Sequence, residues 1–389
     1  MNFLKNINVV EFSHMVMGPS TGVILGDLGA NVVKVEPLGG DKTRRLPGSG
    51  AGYFPMFNRN KQSLCVDVKS EEGRQIVRRL LEEADVVIEN FRSGALDKLG
   101  LGYEDVRAIN PSVIYQSSKG FLRGPYEQRT ALDEVAQMMG GLAYMTGPEG
   151  RPLRAGASVV DIAGGMFGVI GILAALVQRE QHGGAGTHIT SSLFETTVFL
   201  VGQHIAQQAV TGKSVQPMPS RVSAWAVYDV FEAKDGQVFV GVVSDGQWVK
   251  FCEVFGFSEW GADERYSGNG GRVEHRASII PVLRDRFAQM SKDELIEKLN
   301  EAGLPFAPIN RPEDLLDDPH VMQRGMYELR LPDQDRSALL PKLPIEVNGA
   351  RPGDASDPPV AGEHTDAVLA RLGFDEEQVR NWRERGVVG

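Results

Sequence analysis

Cysteine is almost missing from this chain: Cys65 and Cys252 stand alone among 389 residues, in unrelated contexts. That excludes a disulfide framework and a Cys-based metal or redox motif, and it fits a reducing, cytoplasmic compartment. An H-E-x-x-H helix, a Cys/His pair and an acidic EF-hand loop are missing too, so no metal site is expected. The opening MNFLKNINVVEF has no apolar stretch of signal-peptide length. The longest apolar run, 166–177, is interrupted by Gly168 and Gly171 and is too short to span a bilayer, so no membrane association is expected. Positive charge is outnumbered, 41 Lys and Arg against 51 Asp and Glu, for a net charge of −10. Nucleic acid is thereby excluded as a bulk partner, because phosphate backbones need a basic face. A few local cations would still hold an anionic small ligand.

What is present has the texture of an α/β protein long enough for two domains. β-branched runs at 7–12, 31–37, 62–68, 85–91 and 112–118 alternate with helical stretches at 19–28 and 70–84. In the second of these, Ser70 is placed to cap, and Ile76, Val77, Leu80 and Leu81 recur at helical spacing. Strands alternating with helices predict a doubly wound parallel sheet covered on both faces. Helices are expected at 133–145 and from about Ile162 to Arg179. A Pro- and Ser-rich linker follows at 211–224, then a small α+β domain at 225–310 with a hairpin turning at Asp235-Gly236. The tail, 311–389, ends in two short amphipathic helices and is expected to complete the large domain, 1–210.

Such a sheet binds ligands at the carboxyl ends of its strands. The first loop, SHMVMGPSTG, lacks the G-x-G-x-x-G of a dinucleotide site. Its G-x-S-x-G is a poor nucleophile elbow: the strand ends several residues early, so Ser20 reads as a helix cap. Basic residues after predicted strands, namely Arg44, Arg45, Lys61, Lys69, Arg92 and Lys98, read singly as solvated surface charges and together suit a ligand with several phosphates. One residue resists a bland reading. Asp161 is the single charge in GASVVDIAGGMFGVIGILAAL, 156–176. A carboxylate beside a buried run is costly unless something offsets its desolvation; it either caps the helix or has chemical work to do.

The phrases EFSHMVMGP, LGANVVKVEP with GDKTR, FNRNKQSLCVDVKS, VVIENFRSGALDKLG, SSKGF, VAQMMGGL, GASVVDIAGGMFGVIGILAAL and GEHTDAVL, in this order, resemble the class III coenzyme A transferases, the formyl-CoA transferase and carnitine CoA-transferase group. The resemblance implies a Rossmann-like large domain in an interlocked homodimer. It implies a covalent role for Asp161, with CoA and acyl-CoA as substrates and no tightly bound cofactor. A carboxylate attacking a thioester fits that role, with Gly164 and Gly165 leaving room for the substrate. It further implies that Val66, Asp67, Val68 and Lys69 hold adenine, largely through backbone. Asn90 and Phe91 would lie on the pantetheine path, and Lys98 stands where an arginine is common. Val16 stands where the formyl-CoA enzyme has a glutamine, with Met17 beside it, and VGVVSDGQW replaces that enzyme's Gly-rich loop. Both differences point away from oxalate and formyl-CoA. The expected reaction is CoA transfer from a short acyl-CoA such as succinyl-CoA to a small carboxylic acid. An apolar wall with Arg44, Arg129 or Arg221 nearby suggests a second carboxylate, as in succinate, itaconate or mesaconate. Racemases of 2-methylacyl-CoA share the superfamily but use a histidine where this chain has Leu132; Asp133 or Glu134 could substitute. A non-catalytic CoA-binding protein is the alternative from another class.

Overall fold

The β-branched runs do assemble into one parallel sheet. The computed structural model describes residues 2–221, 223–351 and 354–389. It contains β1 (Asn8–Phe12), β2 (Asn31–Glu36), β3 (Lys61–Cys65), β4 (Val86–Glu89), β5 (Ile114–Lys119) and β6 (Thr187–Ser192). Their order is β3-β2-β1-β4-β5-β6, and each neighbouring pair is parallel. The chain winds outward from β1 to β3 on one side and from β4 to β6 on the other. The reversal therefore falls between β1 and β4, where a doubly wound sheet opens its ligand crevice.

Alternation along each strand sends side chains to two cores. On one face Val10, Phe12, Val33, Val35 and Leu64 pack with Ile76, Val77, Leu80 and Leu81 of the helix Glu71–Glu82. Val368, Leu369, Leu372, Val379 and Trp382 from the C-terminal segment join them. On the other face Val9, Val32, Val86, Ile88 and Ile114 meet Leu25, Val169, Ile172 and Ala175. The last three lie on the helix Val159–His182, whose length and hydropathy alone would let it cross a membrane. Here it packs on β5, β6 and the helix Met17–Asp27.

The chain divides into two compact units, Met1–Pro219 with Gln323–Gly389, and Ser220–Met322. The expected divisions were 1–210, 211–224, 225–310 and 311–389. The smaller unit contains the antiparallel strands β7 (Tyr228–Ala233), β8 (Gly236–Gly241) and β9 (Phe306–Pro308) around a core rich in Phe and Trp. A separate hairpin, β10 (Met326–Arg330) with β11 (Ser337–Pro341), belongs to the larger unit. The helix expected at 133–145 is two helices, Asp133–Met139 and Leu142–Thr146. Gly141 at φ 86° breaks it in a conformation that costs glycine little.

Candidate active site

Where β1 ends, Ser13 to Met17 must turn the chain into a helix over a crowded backbone. Asn90, just beyond β4, holds that turn: its Oδ1 accepts from His14 N–H at 3.0 Å, and its Nδ2 donates to His14 C=O at 2.7 Å. Met15 sits at φ 64°, a strained conformation for a side chain of its size, and its N–H donates to Thr43 Oγ1 at 3.0 Å. Val16 and Met17 follow, both buried. The helix begins at Met17, not two residues later, so Ser20 lies inside its first turn. Its hydroxyl donates to the Val16 and Met17 carbonyls and caps nothing.

Asp161 is the third residue of the helix Val159–His182. It does not cap that helix. The cap comes from Asp133, the first residue of another helix, whose Oδ2 accepts from Val160 N–H at 3.0 Å and Asp161 N–H at 3.2 Å. Asp133 Oδ1 accepts from Gln137 at 2.6 Å and faces Arg154 at 3.3 Å. The carboxylate of Asp161 is thus left over for chemistry. The glycines after it serve packing, which corrects the expectation that they make room for a thioester. A Cβ on Gly164 would lie 2.6 Å from Met17 Cε, and one on Gly165 would lie 2.8 Å from Met17 O. Both let the two helices cross closely, tied by Thr21 Oγ1 donating to Gly165 C=O at 3.1 Å.

Burial pushes the Asp161 carboxyl up to about 7; Asp133 adds to the rise and Arg154 opposes it. The helix dipole favours the anion by about 0.3–1 kcal/mol, less than the ~1.4 kcal/mol that moves a pKa by one, so burial prevails. Such a carboxylate is a better nucleophile than a solvated one and still ionises near neutrality. Burial lowers the His14 pKa from its ordinary value, leaving a neutral imidazole at the same cavity. A test follows from the pair of acids. A reaction that uses Asp161 as a nucleophile needs it ionised, so its kcat/KM should rise with pH through about 7. Asp133→Asn keeps an oxygen for the two amides but removes the neighbouring charge, so the midpoint of that rise should move down by about one pH unit.

Asp161 opens on a cavity of about 250 Å³ walled by Met15, Val16, Met17, Leu132 and Leu193, with Lys119 and Arg154 as its cations. A second cavity of about 620 Å³ shares His14, Asn90, Ser118, Lys119 and Leu132 with it, and carries Phe91, Arg92 and Arg129. The shared lining joins the two cavities into a groove that runs from Asp161 past the ends of β4 and β5. Of the expected residues, Val16, Met17, Asn90, Phe91 and Asp161 meet here.

Two other expected ligand contacts, Lys61 and Arg44, need correcting. Lys61 lies at the start of β3, away from the ligand edge, and is buried against Glu11 Oε2 at 2.8 Å, with Pro19 C=O at 3.0 Å. Arg44 is spent on Glu36 at 2.5 Å and on Pro359 C=O at 2.7 Å. The backbone donors of Val66 and Asp67 are taken by Glu36 C=O and Val387 C=O, both internal, and Lys69 N–H donates to its neighbour Asp67. Val68 is half-buried and the Lys69 and Lys98 side chains are exposed. This segment ends β3, three strand spacings or about 14 Å from β4.

Sequence reasoning missed two members of the site. Asp133 reads from sequence only as a candidate racemase base, because nothing local shows that its carboxylate caps a helix 27 residues later. Arg154 carries no motif of its own; it lies in the irregular segment 151–155, just before the bend at Gly156 and Ala157.

Comparison with known proteins identifies the family. A family model described as CoA-transferase family III matches residues 4–365. A succinate–glutarate CoA-transferase from Agrobacterium fabrum is 34% identical, covering 95% of each chain. A succinyl-CoA:mesaconate CoA-transferase from Haloarcula hispanica is 32% identical over 96% of this chain and 97% of its own. The crystal structure of a CaiB/BaiF family protein from Brucella suis superposes with a TM-score of 0.84 at 37% identity, covering 95% of this chain and 99% of that one.

Proposed function

The chain belongs to CoA-transferase family III, and from that premise we propose that it moves CoA from a short acyl-CoA, such as succinyl-CoA, to a small dicarboxylic acid through a thioester on Asp161. The observation that carries this is an ionisable carboxylate freed from capping, with a pKa near 7, at the head of a groove at the β1/β4 reversal. The Asp161 carboxylate attacks the thioester carbonyl; the C–S bond breaks, giving a mixed anhydride and CoA thiolate. The thiolate attacks the Asp161 carbonyl, expelling the donor acid and leaving aspartyl-CoA. The acceptor carboxylate attacks that thioester, releasing the thiolate again and forming a second anhydride. The thiolate then attacks the acceptor's carbonyl and frees Asp161 as carboxylate. The groove walls hold thiolate and acid beside the same carbonyl, where proximity supplies most of the rate.

The curated relatives act on glutarate and on mesaconate, which supports a dicarboxylic acceptor; itaconate is chemically equivalent. A racemase reading is weakened, since Leu132 replaces the expected histidine and Asp133 is engaged by two amides, Gln137 and Arg154. An interlocked homodimer is supported by apolar side chains left exposed on three helices, among them Met166 and Ile170 on Val159–His182, Phe199 on Leu193–Leu200 and Val210 on Gly202–Thr211. Buried free thiols at Cys65 and Cys252 support a reducing, cytoplasmic setting. The decisive experiment is to incubate the protein with succinyl-CoA and quench with hydroxylamine. Mass spectrometry should find a hydroxamate on Asp161, and a panel of labelled acids should become thioesters. A protein that exchanges label yet carries no adduct at that residue would overturn the mechanism.

A further inference from the structure

A diacid brings a second carboxylate into a cavity whose walls are mostly apolar. An unpaired charge there costs several kcal/mol, so the cavity must supply a cation. Two line it. Lys119 is committed inward: its Nζ lies 2.6 Å from Glu89 Oε1, a nearly buried partner, and 2.8 Å from Phe91 C=O. Arg154 is committed on one edge only. Its Nε donates to Ala155 C=O at 3.0 Å, and its Nη2 donates to Ala157 C=O at 3.2 Å and faces Asp133 Oδ1 at 3.3 Å. The Nη1 edge instead meets Glu134 Oε1 at 3.0 Å, and that side chain is 58% exposed.

The difference between these two edges is energetic. An ion pair with so exposed a partner contributes about 0–1 kcal/mol, so Glu134 can be exchanged at little cost. The guanidinium fork also matches a carboxylate better than an ammonium does. Its neighbourhood is right as well, since Arg154 is close enough to Asp161 to act on that carboxyl electrostatically. Glu134 thus shows, with the chain's own carboxylate, where an incoming one would bind.

We propose that Arg154 is the residue that selects dicarboxylic substrates: its Nη1 edge binds the distal carboxylate of a short diacid, which displaces Glu134, while the acid's other end lies at Asp161. This rests on the transfer through Asp161 proposed above, and it adds the group that reads substrate class.

The test compares glutarate with valerate, which differ only in the distal carboxylate, using one acyl-CoA donor in both arms. Arg154→Met should lower the glutarate-over-valerate preference in kcat/KM by about 100-fold, the scale of losing a charged hydrogen-bond partner. Arg154→Lys should restore part of it. Glu134→Gln should raise the preference several-fold, because the competing carboxylate is gone. Calorimetric binding of the two acids to each variant reads the same preference without turnover, and Arg154→Lys with Glu134→Gln carries the test where Arg154→Met folds poorly. An equal loss on both acids would reduce Arg154 to a clamp on the helix start and overturn the proposal; so would a preference unchanged in Arg154→Lys and Glu134→Gln. The hydroxamate assay separates the two readings. Wild-type protein lacking the Asp161 adduct fails the transfer mechanism, whereas an adduct with unmoved acid preference fails Arg154 alone.

Discussion

Asp161→Asn is expected to abolish CoA transfer while making the protein harder to unfold above neutral pH. Loss of the proposed covalent nucleophile should lower kcat by at least about 10³-fold, measured with freshly purified protein so that deamidation does not restore the acid. The stability gain follows from the same burial that tunes the nucleophile. Asp161 has a folded pKa of about 7 against 3.8 for the free group. Between those values the folded state holds a proton that the unfolded chain has lost, so wild-type stability falls as pH rises from about 4 to 7. At pH 8 the charged, buried carboxylate costs up to about 4 kcal/mol, at ~1.4 kcal/mol per pH unit between the two pKa values. Asparagine has no charge to bury. The variant should therefore melt later than wild type at pH 8, and the gap should close towards pH 5. A variant that melts together with wild type at both pH values would mean that Asp161 is solvated, and the account of its pKa would fall with it.

Glu11→Gln should cause a large loss of stability with no change of shape. Glu11 lies fully buried in β1, where Lys61 approaches its Oε2 at 2.8 Å, Lys34 its Oε1 at 3.4 Å, and Ser13 Oγ donates to it at 2.7 Å. The glutamine fills the same space but leaves two buried ammonium groups with Asp41, 3.3 Å from Lys34, as the nearest remaining partner for one of them. Removing one member of a buried pair costs about 3–5 kcal/mol, which should lower the thermal midpoint by about 10 °C. The deficit should itself depend on pH. Burial already pushes Lys61 down to about 8, against the upward pull of Glu11, and losing Glu11 lowers it further. Folding then releases a proton that the unfolded lysine keeps, so the variant gains stability as pH rises between its Lys61 pKa and about 8, where wild type does not. Thermal melts at pH 6 and pH 8 would show a gap that narrows; a gap that widens would place the missing charge elsewhere. Because Lys61 also donates to Pro19 C=O, the loss reaches the helix that carries Met17.

Much of the site is written in residues that act where they stand. The strands Asn8–Phe12 and Asn31–Glu36 follow from β-branched runs bounded by turns, and Ser70 caps its helix, accepting from Gly73 N–H at 3.0 Å, as its spacing predicts. Asp161 stood out because a charge in an apolar run is visible without a fold. The edge strand Thr187–Ser192 was less legible: it is half-exposed and polar, and lacks the continuous apolar run of the buried strands. The basic residues misled for a different reason. Arg44 and Lys61 look like surface cations in a list, yet each is paired inside, with carboxylates 8 and 50 residues away.

Composition, periodicity and order of motifs by themselves determined that this chain builds a doubly wound sheet, carries a solitary acid at the start of a glycine-rich helix, and resembles a family of CoA-transferases. Only the tertiary structure decided what each charge is for. Asp133 rather than Asp161 caps the helix Val159–His182, Gly164 and Gly165 serve a helix crossing, Lys61 belongs to the core, and Arg154 lines the cavity on which Asp161 opens. The reason is physical: backbone conformation responds to neighbours within a few residues, whereas the cost of a charge depends on burial and on partners that the chain brings from far along its length.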